Sequence, residues 1–507
     1  MEFIVPNPGS LNEPSWYLDR LAPSSFTEPT GGKVPAMPQP ASPAHTHIPA
    51  PTHDLRTGTR TRPGATLAVT AAATAVALMN YTAPMLTLPD MAAAFGTPVS
   101  ARAWLLNGTP LGLAVLLLVA GSLADAHGRR RVFLLGTLAL GLTTALGASA
   151  GSTATFTAAR IAQGAASAAV LAGSLGLLAQ AYPAGRDRIR ATGIWGASVS
   201  AGIALGPLLA GALSLVDWRL AYEVLGAAAL VVAAAGARLP RADEAPPAGS
   251  RTRPDLAGAT ALGLALAALL TALTLGRDGW LRPQVGLLLL ASLALTALFV
   301  LVEHRSRTPM VDPALLRRPA FLASTLGALF TGLAVIGLFS VVPALLQGGG
   351  AGAGMSPLGA AWLFVLWSGT AFVVALQARR LAGRLSAPYQ LALGFVLSAA
   401  GVLALLGGLD GPAGSWPRLL PGLLVAGAGS GLLNAALPRL AVDSVPPERA
   451  AMGSGANNTA RYIGSSAGVA LMLALATAGP DTAVLVAAAL ALTGAGLTLT
   501  LGRKGSR

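Results

Sequence analysis

The chain reads Gly121-Ser-Leu-Ala-Asp125-Ala-His-Gly128-Arg129-Arg130-Arg131 between two apolar runs. Residues 103–123 before the basic turn and 132–150 after it contain no charged side chain, and each run is long enough to cross a hydrocarbon layer as a helix. A cluster of arginines between two such runs is a topology anchor: it holds the loop in the cytoplasm, with Asp125 solvated beside it.

Composition extends this reading to the whole chain. Hydrophobic residues fill 53% of 507 positions and charged residues only 11%, too little charge to cover a water-soluble protein of this size. The solvent must therefore be lipid. A net charge of +14 invites a nucleic-acid reading, but the basic residues fall in short clusters between apolar runs, and no basic stripe with interleaved aromatics is present. No nucleic-acid partner is expected. With no cysteine, disulfides and thiolate chemistry are excluded. The five histidines are scattered between the N-terminal tail and two loops, so neither a metal nor any other cofactor is expected.

Residues 1–64 are rich in Pro, Ser, Thr and His and lack an apolar period, so they read as a disordered cytoplasmic tail without the pattern of a cleaved signal. Beyond them, apolar stretches alternate with short polar loops: 66–88, 103–123, 132–150, 155–181, 191–213, 220–237, 256–275, 284–302, 321–346, 358–377, 388–407, 418–438, 452–476 and 482–502. These are fourteen predicted transmembrane helices, since only internally bonded helices can cross lipid in such numbers. Of the 34 Lys and Arg, 25 fall in the loops and ends that share one side with the N-terminus, 5 on the other side, 2 inside spans and 2 far out in the tail. That bias puts both termini in the cytoplasm. Trp104, Trp218, Trp280 and Trp416 sit at outer span ends, where an interfacial belt is expected.

A faint internal repeat carries Gly121-Ser-Leu123 onto Gly383-Arg-Leu385 and Gly202-xxx-Gly206 onto Gly464-xxx-Gly468, both at an offset of 262. The layout becomes 6 + 2 + 6: a first bundle over 65–240, a linker with two extra spans over 241–319, and a second bundle over 320–507. Two repeats facing each other across a midplane site describe an alternating-access carrier of a small molecule in a lipid bilayer.

The 121–131 stretch closely resembles the motif between helices 2 and 3 of the major facilitator superfamily. The resemblance implies that Asp125 latches the outward-facing state against the other half, that Gly121 permits close helix approach, that Gly128 makes the turn, and that Arg129 to Arg131 hold the loop inside. Ala126 stands where the family usually has a basic residue. Arg160-Ile-Ala-Gln163-Gly164 resembles the family's helix 4 arginine motif; a snorkelling arginine near the outer interface is the alternative. Gly202-Ile-Ala-Leu-Gly206-Pro207-Leu-Leu-Ala210-Gly211 resembles the antiporter signature of helix 5, with Ala210 replacing one glycine. With Asn457-Asn458-Thr459-Ala-Arg461-Tyr462-Ile-Gly464, the similarity points to the fourteen-helix drug/proton antiporter branch, and so to a monomeric exporter of a drug or antibiotic in a bacterial inner membrane.

That branch commonly carries an aspartate in helix 1 before a Leu-Pro pair. Counting back from Leu88-Pro89, Asn80 stands in its place, with Thr82 nearby. Asn80 either hydrogen-bonds substrate or caps the break around Pro84. No acid falls near mid-membrane, so Glu223 is the first candidate for the proton-coupling carboxylate and Asp90 the second. Arg160, Gln163, Asn434, Asn457 and Arg461 are the remaining candidates for substrate or coupling. If both arginines face a central cavity, the field there is positive and favours a neutral or anionic substrate. Carriage of a metabolite without a mid-membrane carboxylate, or a non-transporting sensor, are the alternatives. An enzyme is not expected, because no helical cluster of His, Asp or Ser is present.

The charge bias generates a direct test. Because the chain has no cysteine, a single cysteine placed at position 248 should resist an impermeant thiol reagent added to intact cells. Labelling from outside would reverse the topology.

Overall fold

The computed structural model describes residues 63–182, 186–239, 256–276, 279, 281–306, 315–348, 354–382, 385–411, 414–445 and 450–505, with Asp125 described in its backbone alone. The expected tail up to residue 62 and most of the polar linker before residue 256 lie outside the described residues. Among the described residues seventeen α-helices follow one another: α1 (Pro63–Thr82), α2 (Pro84–Ala94), α3 (Arg102–His127), α4 (Arg129–Ala148), α5 (Thr153–Ala181), α6 (Arg186–Leu213), α7 (Arg219–Ala237), α8 (Leu256–Gly276), α9 (Pro283–Arg305), α10 (Pro319–Phe330), α11 (Gly337–Phe339), α12 (Val342–Gln347), α13 (Pro357–Ala382), α14 (Ala387–Leu403), α15 (Leu420–Asp443), α16 (Ala450–Ala476) and α17 (Pro480–Gly505). No strand occurs among the described residues.

Eleven helical segments among the described residues are long and apolar enough to cross a membrane. In α9 only 11% of the apolar window is buried inside the protein, so its leucines face outward and need an apolar surrounding. This is a multi-pass membrane protein.

Two predicted spans are broken rather than straight. The first stops at Thr82 and resumes at Pro84, whose missing N–H cannot continue the ladder. The span predicted at 321–346 passes through α10, a π-helical stretch Thr331–Ile336, α11 and then α12, which opens beside Pro343. A π-helical turn widens the backbone and commonly marks a functional position. Pro207 lies inside α6 without ending it.

Helices α1 to α7 pack among themselves, as do α10 to α17, while α8 and α9 form a pair with α8 resting on α3 and α16. Glycines set the closest approaches. A Cβ on Gly202 or Gly206 of α6 would strike the backbone of α1 at Ala75 and Met79. A Cβ on Gly464 or Gly468 of α16 would strike α10 and the π-helical stretch at the carbonyls of Leu329 and Leu333. The two glycine pairs predicted to correspond thus make the same contact in the two halves. Lipid offers no hydrophobic drive for helix association, so this close backbone packing supplies much of the cohesion.

The two halves meet along α6–α13, α3–α16 and α2–α12. Three hydrogen bonds among the described residues join them, midway along the spans or toward the end that carries Arg102, Arg219 and Arg418, the arginine-poor end. Tyr81 Oη and Ser465 Oγ lie 3.0 Å apart, Asn107 donates to Ser466 O at 2.9 Å, and Gln347 donates to Leu86 O at 3.1 Å. Phe95, Phe156, Trp218 and Tyr222 cluster at the same end with centroids 5.4–6.1 Å apart, edge to face except for the tilted Phe95–Phe156 pair. Trp218 is therefore 6% exposed and part of a core, not of the expected interfacial belt: its ring is sandwiched by that cluster and covered by Arg219 at 4.5 Å. Trp280 lies outside the described residues.

Gly464→Ala should lower the melting temperature of the purified protein by overpacking a backbone contact, at a cost of about 1–3 kcal/mol. Gly496→Ala, where an added Cβ meets nothing within 4 Å, should leave it unchanged. Equal melting temperatures for the two variants would remove glycine packing as the basis of the fold.

Candidate functional site

Arg160 on α5 lies inside the first half, 1% exposed. Its Nη2 donates to Asn80 O at 2.6 Å and its Nη1 donates to Gln163 Oε1 one turn along the same helix. Gln163 Nε2 in turn donates to Asn80 Oδ1 at 2.7 Å and to Thr144 Oγ1 at 2.6 Å. Thr109 on α3 reaches Arg160 O at 3.3 Å. Two ring faces close the remaining sides, with the guanidinium carbon 6.0 Å from the Phe156 centroid and 5.7 Å from that of Tyr222. Among the described residues no carboxylate joins this network. The charge is stabilised instead by a backbone carbonyl, an amide oxygen and aromatic quadrupoles.

The snorkelling alternative is excluded by this enclosure. So is a cavity-facing Arg160: the side chain points into the core of the first half, because its hydrogen-bond partners and neighbouring rings lie on α1, α5 and α7. Asn80 acts inward as well, its Nδ2 bonded to Val76 O at 3.1 Å and its Oδ1 to Gln163.

Arg461 on α16 is placed differently. It remains partly exposed, and Nη1 donates to Asn434 Oδ1 on α15 at 3.2 Å, with Asn434 exposed. Its Nε and Nη2 are buried without a hydrogen-bond partner. Tyr81 from the first half packs edge-on against Tyr462, centroids 5.8 Å apart. The π-helical stretch lies directly beneath, since a Cβ on Gly332 would strike Arg461 O.

The other candidates are dispersed. Thr82 bonds back to Leu78 O of its own helix at 3.1 Å, and Asn457 ties α16 to Ser324 O on α10 at 2.9 Å. Glu223 stands on the exposed face of α7, away from both networks. Asp90 is half-buried past the end of the first predicted span, and burial, aided by the nearby Asp217 carboxylate, holds its carboxyl above the ordinary carboxylate value.

In the 121–131 stretch, Gly128 turns the chain at φ 95°, a left-handed conformation that favours glycine. Arg129 donates to Gly176 O at 3.2 Å and Arg130 to Ala237 O at 2.9 Å, all within the first half. The close approach expected at Gly121 is absent in this conformation: among the described residues nothing lies within 4 Å of an added Cβ, because the halves meet toward the opposite end. The Asp125 side chain lies outside what is described. Gly211 closes the arginine-poor end against Pro357 O, 2.9 Å from its would-be Cβ.

Sequence reading missed Thr109, Thr144, Tyr81, Tyr222 and Ser465. Threonine in an apolar helix bonds to its own backbone, so its presence carries no signal until the tertiary fold supplies a second partner.

Asn80→Ala strips Gln163 and Arg160 of an ordered partner and should destabilise the purified protein by about 1–3 kcal/mol. Asn80→Asp, which keeps the accepting oxygen beside the arginine, should cost less. An unchanged melting temperature in Asn80→Ala would show that the network holds nothing together.

The Major Facilitator Superfamily profile matches residues 70–469 of this chain. The chain is 33% identical to a puromycin resistance protein of Streptomyces alboniger, over 81% of each protein. It is 32% identical to the multidrug resistance protein Stp of Mycobacterium tuberculosis over 76% of this chain and 70% of that one. With a probable actinorhodin transporter of Streptomyces coelicolor it shares 31% identity over 80% of this chain and 71% of that one. The helical architecture, the glycine contacts shared by the two halves and the length of these matches make the chain a member of the major facilitator superfamily of membrane transporters.

Proposed function

We propose that the protein exports a small organic compound, a drug or antibiotic, from a bacterium by alternating access. What carries this reading is the way the two halves meet: their hydrogen bonds run through Tyr81, Asn107 and Gln347 from mid-depth toward one end, while Gly193, Gly196 and Gly369 have open space at their Cβ positions. With the termini in the cytoplasm of an inner-membrane protein, this is the inward-facing state, ready to load substrate from inside. Similarity to resistance proteins and exporters supplies the direction and the cargo class. In the opposite state Asp125 would latch the arginine-rich ends, as the family motif implies.

The fourteen-helix arrangement of 6 + 2 + 6 fits the eleven long apolar segments together with α3, α8 and α14. The paired α8 and α9 would be the insert between the bundles, and one chain would suffice for transport. Proton antiport is the energy source we infer. Asp90 is the better-placed carboxylate, reversing the order expected from sequence, because Glu223 projects from the exposed face of α7 while Asp90 is partly buried at the closed end.

Expression in a drug-hypersensitive bacterium should raise resistance to at least one antibiotic and lower its accumulation. In inverted vesicles, uptake should follow an imposed pH gradient, with Asp90→Asn losing that dependence more severely than Glu223→Gln. Full gradient dependence in both variants would place the proton path elsewhere. Failure of the wild type to move any compound of a broad panel would remove the exporter reading.

A further inference from the structure

Buried polar atoms at membrane depth have no water to turn to, so an unpartnered one marks either a cost or a ligand. Around the seam between α16 and the first half such atoms accumulate. Arg461 Nε and Nη2, Ser466 Oγ and Asn107 Oδ1 are all buried without a hydrogen-bond partner. Ser466 is 3% exposed and Asn107 1% exposed, and the two residues are already in contact through Asn107 Nδ2 and Ser466 O at 2.9 Å. Ser466 follows Ser465, whose hydroxyl pairs with Tyr81 of the first half, and Arg461 lies one turn earlier than Ser465 on α16. Arg461 also reaches outward, through Nη1, to exposed Asn434.

The contrast with Arg160 is what makes this seam specific. Both arginines lie at membrane depth, but Arg160 has a fork of acceptors and two aromatic faces around it. Arg461 has one neutral amide, and two of its three nitrogens unused. A guanidinium presents a planar set of donors matched to a carboxylate or similar oxyanion, and a low dielectric strengthens that pairing. Placing an unbalanced cation at that depth is costly, and a bound anion would offset that cost.

Resting on the exporter reading, we propose that Arg461 is the anchor for an anionic group of the substrate, so that the cargo is an ionised organic acid. Asn434 orients the guanidinium, and the Ser466 hydroxyl, a donor without a partner on the same helix, is the further group that an anion could engage. The placement of Arg461 on α16, above the widened backbone at Thr331–Ile336, couples occupancy to the helix pair that must shift when the halves exchange ends.

The test uses the purified full-length protein and three probes of one shape: 2-naphthoate, its neutral amide, and the (2-naphthyl)methyl-trimethylammonium cation. Binding is measured by calorimetry and by thermal shift. The wild type should bind the carboxylate at least tenfold tighter than the amide and should not bind the cation. Arg461→Gln should reduce carboxylate affinity to the level of the amide, Arg461→Lys should keep part of the preference, and Asn434→Ala should weaken it severalfold. Arg160→Gln lowers stability without removing the preference for the carboxylate. Equal carboxylate binding in wild type and Arg461→Gln overturns the proposal, as does tightest binding of the cation or no binding of any probe. Drug efflux from cells carrying the wild type is scored separately: efflux that persists undiminished in Arg461→Gln defeats the anchor and leaves the exporter standing, whereas absent wild-type efflux defeats the exporter whatever the probes show.

Discussion

Inside hydrocarbon an arginine cannot borrow hydrogen bonds from water, and the organisation of this protein follows from how that demand is met. Arg160 is stabilised by a carbonyl of α1, a glutamine of its own helix and the faces of two rings. Satisfying it requires α1, α4 and α5 to converge at one depth, which is where Asn80, Thr144 and Gln163 meet. The same demand explains the threonines. Thr70, Thr82, Thr137, Thr331 and Thr498 each bond to the carbonyl four residues earlier, so a hydroxyl can sit in the core without a tertiary partner.

Charge satisfaction alone does not hold helices together, and packing completes the picture. The Gly202/Gly206 contact on α1 and the Gly464/Gly468 contact on α10 and the stretch after it bring backbones close enough for dispersion to act where the hydrophobic effect cannot. Such contacts tie helices within each half. Between the halves Gly211 makes one such contact against Pro357 O, and the polar and ring contacts among the described residues are few: a hydroxyl pair, two amide–carbonyl bonds and an aromatic edge. Bonds of that sort each contribute only about 0.5–1.5 kcal/mol net, so a seam built from them can open without unfolding either bundle. Rigid halves joined by a weak seam are what alternating access requires.

Within that frame the two mid-membrane arginines separate into different tasks. One is consumed by structure, enclosed and fully partnered except at Nε. The other keeps donors in reserve at the place where the halves part. A helix distorted into π geometry beneath it, and a helix break at Pro84 opposite, leave backbone able to adjust near the same depth.

Much of this was legible in the residues themselves. Apolar length and the low charge content dictated membrane helices, because a backbone crossing lipid must bond internally. The shared offset of 262 that carries Gly121-Ser-Leu123 onto Gly383-Arg-Leu385 and Gly202-xxx-Gly206 onto Gly464-xxx-Gly468 was readable as a repeat, since two landmarks at one spacing are harder to obtain by chance than one. The 121–131 motif and the arginine motif at 160 pointed to the family, because charged residues make up only 11% of the chain and an aspartate or arginine at a fixed spacing from glycines stands out against apolar runs. What only the tertiary structure decided was direction. Whether Arg160 faces a cavity or a core, whether Trp218 lies at an interface or inside an aromatic cluster, and whether Glu223 points to the centre or away all depend on the rotation of a helix about its own axis. That rotation is set by packing against helices far away in the chain, and an almost uniformly apolar span carries too weak a polar face to reveal it.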